Sequence, residues 1–257
     1  MTYFAFIIGT AGSGKTALTT AFRKYLQQID LDVIAVNLDP GVRVVPYSTE
    51  IDVRDWIDYE KVMLDYKLGP NAALVASTDL IGTHVFDIKK EIDDFNADIV
   101  LVDTPGQMEL FAFRETGPII VNDLSSEKSA LIFLIDPFLS KDPSGYISVL
   151  FLSLSVQCRF NIPNLHVLSK SDLLLDEDID RIISWGESPE LLITALEEGT
   201  KGLLRITSEE LLSVIENVYT AYAQPIPVSN KTWEGLDILY GELSRIWSGG
   251  MNYITDE

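Results

Sequence analysis

The chain has 257 residues, 47% of them hydrophobic, and 39 Asp and Glu against 19 Lys and Arg, a net charge of -20. Such a chain can bury a sizeable core as one large α/β domain or two small ones, and its acidic balance excludes the broad positive surface that nucleic-acid binding needs. One cysteine excludes an internal disulfide framework, no run reaches the roughly 18 apolar residues of a membrane span, and no charged segment precedes the first apolar run; a soluble cytoplasmic protein is expected.

Tyr3-Phe4-Ala5-Phe6-Ile7-Ile8 is a short apolar run suited to a buried strand. The next eight residues, Gly9-Thr10-Ala11-Gly12-Ser13-Gly14-Lys15-Thr16, fit the phosphate-binding pattern G-x-x-x-x-G-K-[ST]. Glycines let successive backbone N–H groups turn around a phosphate without Cβ clashes. Lys15 would reach the β- and γ-phosphates, and the Thr16 hydroxyl would face Mg²⁺. A helix starting near Lys15 would aim its positive dipole end at the same anion. From Ala17 to Gln28 the pattern is helical, with Leu18, Phe22, Tyr25 and Leu26 on one face. Gly12, Ser13, Gly14, Lys15, Thr16 and Ala17 are therefore the phosphate-site candidates. A Gly/Ser turn matching by accident would lack this strand–loop–helix context.

Val33 to Leu38 reads as the second strand. It runs into Asn37-Leu38-Asp39-Pro40-Gly41, where Asp39 could orient the attacking water or bind the Mg²⁺ shell; a turn-forming Asp-Pro is the bland alternative. Residues 47–95 exceed what one crossover helix needs and read as a helical insertion without strands for a sheet of its own. Gly69-Pro70-Asn71 within it would by itself be only a turn.

Asp98 to Asp103 is the third strand, followed by Asp103-Thr104-Pro105-Gly106-Gln107. An Asp ending an apolar strand is the Walker-B arrangement for Mg²⁺, and Gly106 lets backbone approach a γ-phosphate. The fourth and fifth strands are Ala130 to Asp136 and Asn164 to Ser169. Cys158, in the apolar stretch between them, is expected in the core. Ser169-Lys170-Ser171-Asp172 then resembles [NT]-K-x-D, the guanine-reading motif of GTPases, with Ser where Asn or Thr is usual. A carboxylate at Asp172 can accept from both N1–H and the 2-amino group of guanine, a donor pair adenine lacks. Its alternative is a helix cap.

Residues 173–223 are acidic and helical in pattern, broken at Pro189 and at Gly199-Thr200-Lys201-Gly202. Pro225 to Val228 is a short last strand, and Val228-Ser229-Asn230 sits where GTPases place a backbone N–H against guanine O6. The runs are continuous rather than alternating, as in strands covered on both faces. A doubly wound, mostly parallel α/β sheet of the P-loop NTPase type follows, with two helical insertions and its ligands at the carboxyl ends of the strands. Residues 1–248 are expected to form a single domain, with 249–257 a tail.

Taken together and in this order, the P-loop, Asn-Leu-Asp-Pro, Gly69-Pro70-Asn71, Asp-Thr-Pro-Gly-Gln and Ser-Lys-Ser-Asp resemble the GPN-loop GTPases, in the compact archaeal form. Val45-Pro46-Tyr47, Asp52-Val53-Arg54 and Gly106-Gln107-Met108-Glu109-Leu110-Phe111 belong to the same resemblance, which runs from Tyr3 to about Trp247. It implies a homodimer that binds GTP/GDP with Mg²⁺ and hydrolyses GTP, with Gly69, Pro70 and Asn71 acting in trans. It places Asp39, Asp103, Gln107 and Glu109 around Mg²⁺ and water, Thr16 on the metal, and Lys170, Asp172 and Ser229 around guanine. It also implies a nucleotide-dependent switch, with a protein client such as RNA polymerase subunits, and neither nucleic acid nor membrane as a partner. Two other readings fit the motifs: an assembly chaperone with negligible turnover, and a P-loop small-molecule kinase. The kinase reading would want an Arg-rich lid, and residues 173–223 hold only Arg181, Lys201 and Arg205 as basic residues.

Overall fold

The computed structural model describes residues 2–124, 128–199 and 224–249. Seven parallel strands form one sheet in the order β3-β2-β4-β1-β5-β6-β7. They are β1 (Tyr3–Gly9), β2 (Val33–Asn37), β3 (Ile51–Asp52), β4 (Ile99–Asp103), β5 (Ser129–Ile135), β6 (Asn164–Leu168) and β7 (Ile226–Pro227). Central strands are apolar throughout because both faces are covered. Phe4, Phe6 and Ile8 of β1 enter one core, with Ile81, Val85 and Val149; Ala5 and Ile7 enter the other, with Leu18, Phe22 and Leu239.

The first core is covered by α3 (Pro70–Phe95), α5 (Thr116–Leu124) and α7 (Pro143–Phe160). The second is covered by α1 (Lys15–Gln28) and by α10 (Leu236–Trp247), the last helix among the described residues. From β1 the chain crosses to β2 on the far side of β4, while β5 pairs with β1 on the opposite side. That reversal of direction opens a crevice at the carboxyl end of β1. Registers Ile7↔Asp103, Gly9↔Leu134, Asn37↔Asp103 and Ile135↔Leu168 align the strand ends along this one edge.

The doubly wound parallel sheet is as expected, with one addition. The 47–95 insertion contributes β3, a two-residue strand pairing with β2. Two residues are too few to show a period, so this strand left no sequence signal. Beyond it lie α2 (Tyr59–Asp65), capped by Asp58, and the 26-residue α3, about 39 Å long, with Pro70 in its first turn. In the second insertion α8 (Asp176–Glu187) and α9 (Pro189–Gly199) meet at the expected Pro189 break. The break following Gly199, the rest of that insertion to residue 223, and residues 250–257 of the expected tail lie outside the described residues.

Cys158 is exposed on α7 rather than in the core. Val156 and Phe160 take the buried positions, and a residue two places from each points to the other side of a helix. Among the described residues no helix is long and apolar enough to cross a membrane.

Candidate functional site

Gly12 and Gly14 adopt left-handed backbone, φ 78° and 102°, which bends the loop after β1 and places Gly14 as the N-cap of α1. Lys15 lies beneath this loop, only 5% exposed. Its ammonium donates to the carbonyls of Gly9 (2.8 Å), Thr10 (3.1 Å) and Gly106 (2.8 Å). Burial lowers its pKa, opposed by the charges of Asp103, Asp39 and Glu109. The phosphate loop is thus tied to the Asp-Thr-Pro-Gly-Gln loop by a single cation.

Asp103 ends β4 and is 2% exposed. Its Oδ2 accepts from the Tyr47 hydroxyl at 3.0 Å, whereas its buried Oδ1 has no hydrogen-bond partner. Burial pushes its carboxyl up to about 6, against the pull of the Thr16 and Tyr47 hydroxyls and the Lys15 ammonium. A buried, unpartnered carboxylate oxygen near a threonine hydroxyl fits a hard divalent cation. Mg²⁺ commonly takes only one or two protein carboxylates, with phosphate and water supplying the rest. The described residues contain no cluster of three or more His, Cys, Asp or Glu that would hold a metal alone.

Asp39 commits both carboxylate oxygens to backbone: Oδ1 accepts from Gly41 N (2.9 Å) and Oδ2 from Gly106 N (2.7 Å). Asn37 steadies this turn through Asp39 N and reaches Asp52 at 3.0 Å. Asp52 in turn forms a two-bonded ion pair with Arg54 (2.9 and 2.6 Å), and Arg54 donates to Val42 O at 3.1 Å. Burial would raise the Asp52 carboxyl, but hydrogen bonds from Arg54 and Asn37 outweigh it and hold the pKa low. Gln107 and Glu109 are exposed at the start of the short helix α4 (Met108–Ala112).

On the other side of the loop, Lys170 takes a left-handed backbone, and its ammonium donates to Gly12 O and pairs with Asp136 at 3.4 Å. A Cβ placed on Gly14 would lie 3.6 Å from Lys170 Cε, so the lysine stem lies against the phosphate loop. Asp172 is exposed and accepts from the buried Ser229 hydroxyl at 2.9 Å. The Ser229 N–H is already donated to Glu234 O at 3.1 Å. Ser229 thus presents its hydroxyl to Asp172.

Ser169, the departure from the common guanine motif, bonds far from its own neighbourhood. Its buried hydroxyl reaches Ser13 O (2.8 Å) and Ile135 O (3.1 Å), joining β6 to the phosphate loop. Ser169→Ala leaves the Ser13 carbonyl without this donor and should cost about 1–2 kcal/mol, read as a lower denaturant midpoint with unchanged slope.

Gly69, Pro70 and Asn71 stand exposed at the start of α3. Pro70 O accepts from the Tyr59 hydroxyl at 3.1 Å, and no described hydrogen bond joins these three residues to the phosphate loop of the same chain. The structure therefore collects Lys15, Thr16, Asp39, Asp103, Lys170, Asp172 and Ser229 at one sheet edge, and presents the Gly-Pro-Asn corner to solvent. In the sequence Tyr47 appeared only within Val45-Pro46-Tyr47 of the family resemblance, with no role attached; a tyrosine 56 residues before its carboxylate partner forms no local pattern.

A family model described as "Conserved hypothetical ATP binding protein" matches residues 7–247. The chain is 34% identical over 237 residues to GPN-loop GTPase PAB0955 of Pyrococcus abyssi, covering 90% of this chain and 92% of that one. It is 34% identical over 171 residues to GPN-loop GTPase 1 of Saccharomyces cerevisiae, covering 65% of this chain and only 44% of that longer protein. The crystal structure of the Pyrococcus protein, a GTPase in apo form, superposes with a TM-score of 0.85 at 32% identity, over 95% of this chain and 97% of that one.

Proposed function

The chain belongs to the GPN-loop GTPases, and from that premise we propose that it binds GTP with Mg²⁺ and hydrolyses it to GDP and phosphate as a homodimer. The observation that carries this reading is the placement of Lys170 across the phosphate loop beside an Asp172 that Ser229 orients. A base-reading carboxylate joined to a phosphate cradle favours guanine over the adenine nucleotide in the family model's description.

In this reading the Gly12–Ala17 backbone N–H groups and the dipole of α1 receive the phosphates. Lys15 exchanges its three carbonyl partners for phosphate oxygens. Thr16 and Asp103 would hold Mg²⁺, which when bound neutralises charge on the β- and γ-phosphates. Arrival of the γ-phosphate would compete for the Gly106 N–H now held by Asp39, and the freed Asp39 carboxylate would face the Mg²⁺ or orient the attacking water. Gln107 and Glu109, on the exposed start of α4, align that water and accept its hydrogen bond. Phosphoryl transfer needs positioning and charge stabilisation more than covalent help.

The Gly-Pro-Asn corner completes the γ-phosphate region of the partner copy. Asn71 supplies an amide and no positive charge, so its stimulation should fall well short of an arginine finger. Residues 1–248 work as one GTPase domain, and loss of the γ-phosphate reshapes the dimer. The reading extends to a cytoplasmic switch in the assembly of a protein complex such as RNA polymerase.

GTP turnover measured against protein concentration tests this. The rate per chain should rise as dimers form. A mixture of Asn71→Ala and Lys15→Ala chains should keep partial activity, because one of the two sites in a mixed dimer combines an intact Lys15 with an intact Asn71 and the other carries both defects. Wild-type turnover by the Asn71→Ala homodimer would rule out the shared site.

A further inference from the structure

Tyr47 has a neutral hydroxyl on one oxygen of a buried carboxylate whose other oxygen is unpartnered. We propose that Tyr47 is a positioning residue of the metal site: it fixes the rotation of the Asp103 carboxylate so that Oδ1 faces the Thr16 side and the Mg²⁺ of the bound nucleotide. This inference rests on the GTPase reading above.

Three features support it. A carboxylate on a strand end can rotate about its terminal torsion, which is broad and shallow for Asp. One directed hydrogen bond removes that freedom, and groups behind metal ligands commonly act in this way. A phenol suits the task because it donates without bringing a cation beside Mg²⁺; the nearby Lys15 ammonium is committed to carbonyls. The position of Tyr47 is itself secured. Arg23 of α1 donates to Ser48 O and pairs with Glu50. Glu50 accepts from Ala35 N of β2 at 2.9 Å. The segment that delivers the phenol is thus bolted both to the strand beside β4 and to the helix that begins with Lys15 and Thr16. Phosphate cradle and metal carboxylate are set by one frame.

The test uses Tyr47→Phe, which keeps the ring and removes only the donor. The probe is fluorescently labelled GDP, its dissociation rate measured across a Mg²⁺ titration and in EDTA. The variant should need about 10–100-fold more Mg²⁺ for half-maximal retention of nucleotide. Its dissociation rate in EDTA should match wild type, because the phosphate loop and the guanine contacts are intact. In an Asp103→Asn background the same substitution should shift the Mg²⁺ midpoint little further. An unchanged midpoint in Tyr47→Phe overturns the proposal, as does an equal shift with and without Asp103. Faster release in EDTA alone would mean a merely structural tyrosine and also overturns it. If wild type itself retains GDP equally with and without Mg²⁺, the metal-site reading fails first, and this inference with it.

Discussion

Replacing Lys15 with alanine should lower single-turnover GTP hydrolysis by about 10²–10³-fold or more, the range seen when one preorganised donor to developing charge is removed. The size follows from where the ammonium sits. It is almost fully buried and is surrounded by the fields of Asp103, Asp39 and Glu109. Those carboxylates surround the cradle with negative charge, so without Lys15 an incoming triphosphate meets like charge. A screened surface lysine would matter far less. The substitution also removes the ammonium that the carbonyls of Gly9, Thr10 and Gly106 share, leaving Thr10 O with the Ser13 N–H. Loss of that link should loosen the coupling between the phosphate loop and the Gly106 loop. Pre-loaded radiolabelled GTP followed over time separates this loss of chemistry from weakened binding. A variant within tenfold of the wild-type rate would place the chemistry elsewhere.

The second large effect concerns the base. Asp172→Ala should weaken GTP binding by about 10²–10⁴-fold, since two hydrogen bonds to a charged acceptor are worth roughly 1.5–3 kcal/mol each. ATP, which offers no matching donor pair, should bind the variant about as it binds wild type, so discrimination collapses from the guanine side. Asp172→Asn gives a sharper check. An amide can donate to a carbonyl at C2 of the base, so the variant should prefer a xanthine nucleotide to a guanine one. Ser229 remains to orient the new side chain from 2.9 Å. Competition of each nucleotide against labelled GDP reads all these cases. Unchanged guanine preference in Asp172→Ala would mean that the Ser169–Asp172 turn is only a helix cap.

Much of this site was legible before any tertiary information, and the reason is range. The Gly12–Thr16 loop and the Ser169–Asp172 turn are local, their chemistry set by residue types a few positions apart. Continuous apolar runs announced strands buried on both faces, and the polar residues ending those runs pointed to the edge where the candidate site lies. The exposed Cys158 shows the limit of that reasoning. An apolar stretch does not state which side of its helix faces the core; packing against the sheet chose Val156 and Phe160. The two-residue β3 shows the same limit for length, because it exists through its pairing with β2.

By itself, then, the sequence determined the fold class, the phosphate loop, the order of the motifs and the family. Only the tertiary structure decided how the pieces touch. Ser169 reaches Ser13 across 156 positions, Asp39 holds Gly106 across 67, and Tyr47 holds Asp103 across 56. Such contacts have no period and no fixed spacing. They arise where parallel strands bring distant loops to one edge of a sheet, and there burial obliges each polar atom to find a partner. Among the described residues Asp103 Oδ1 is one of the buried atoms that found none, as are Ser13 Oγ and Asn230 Oδ1.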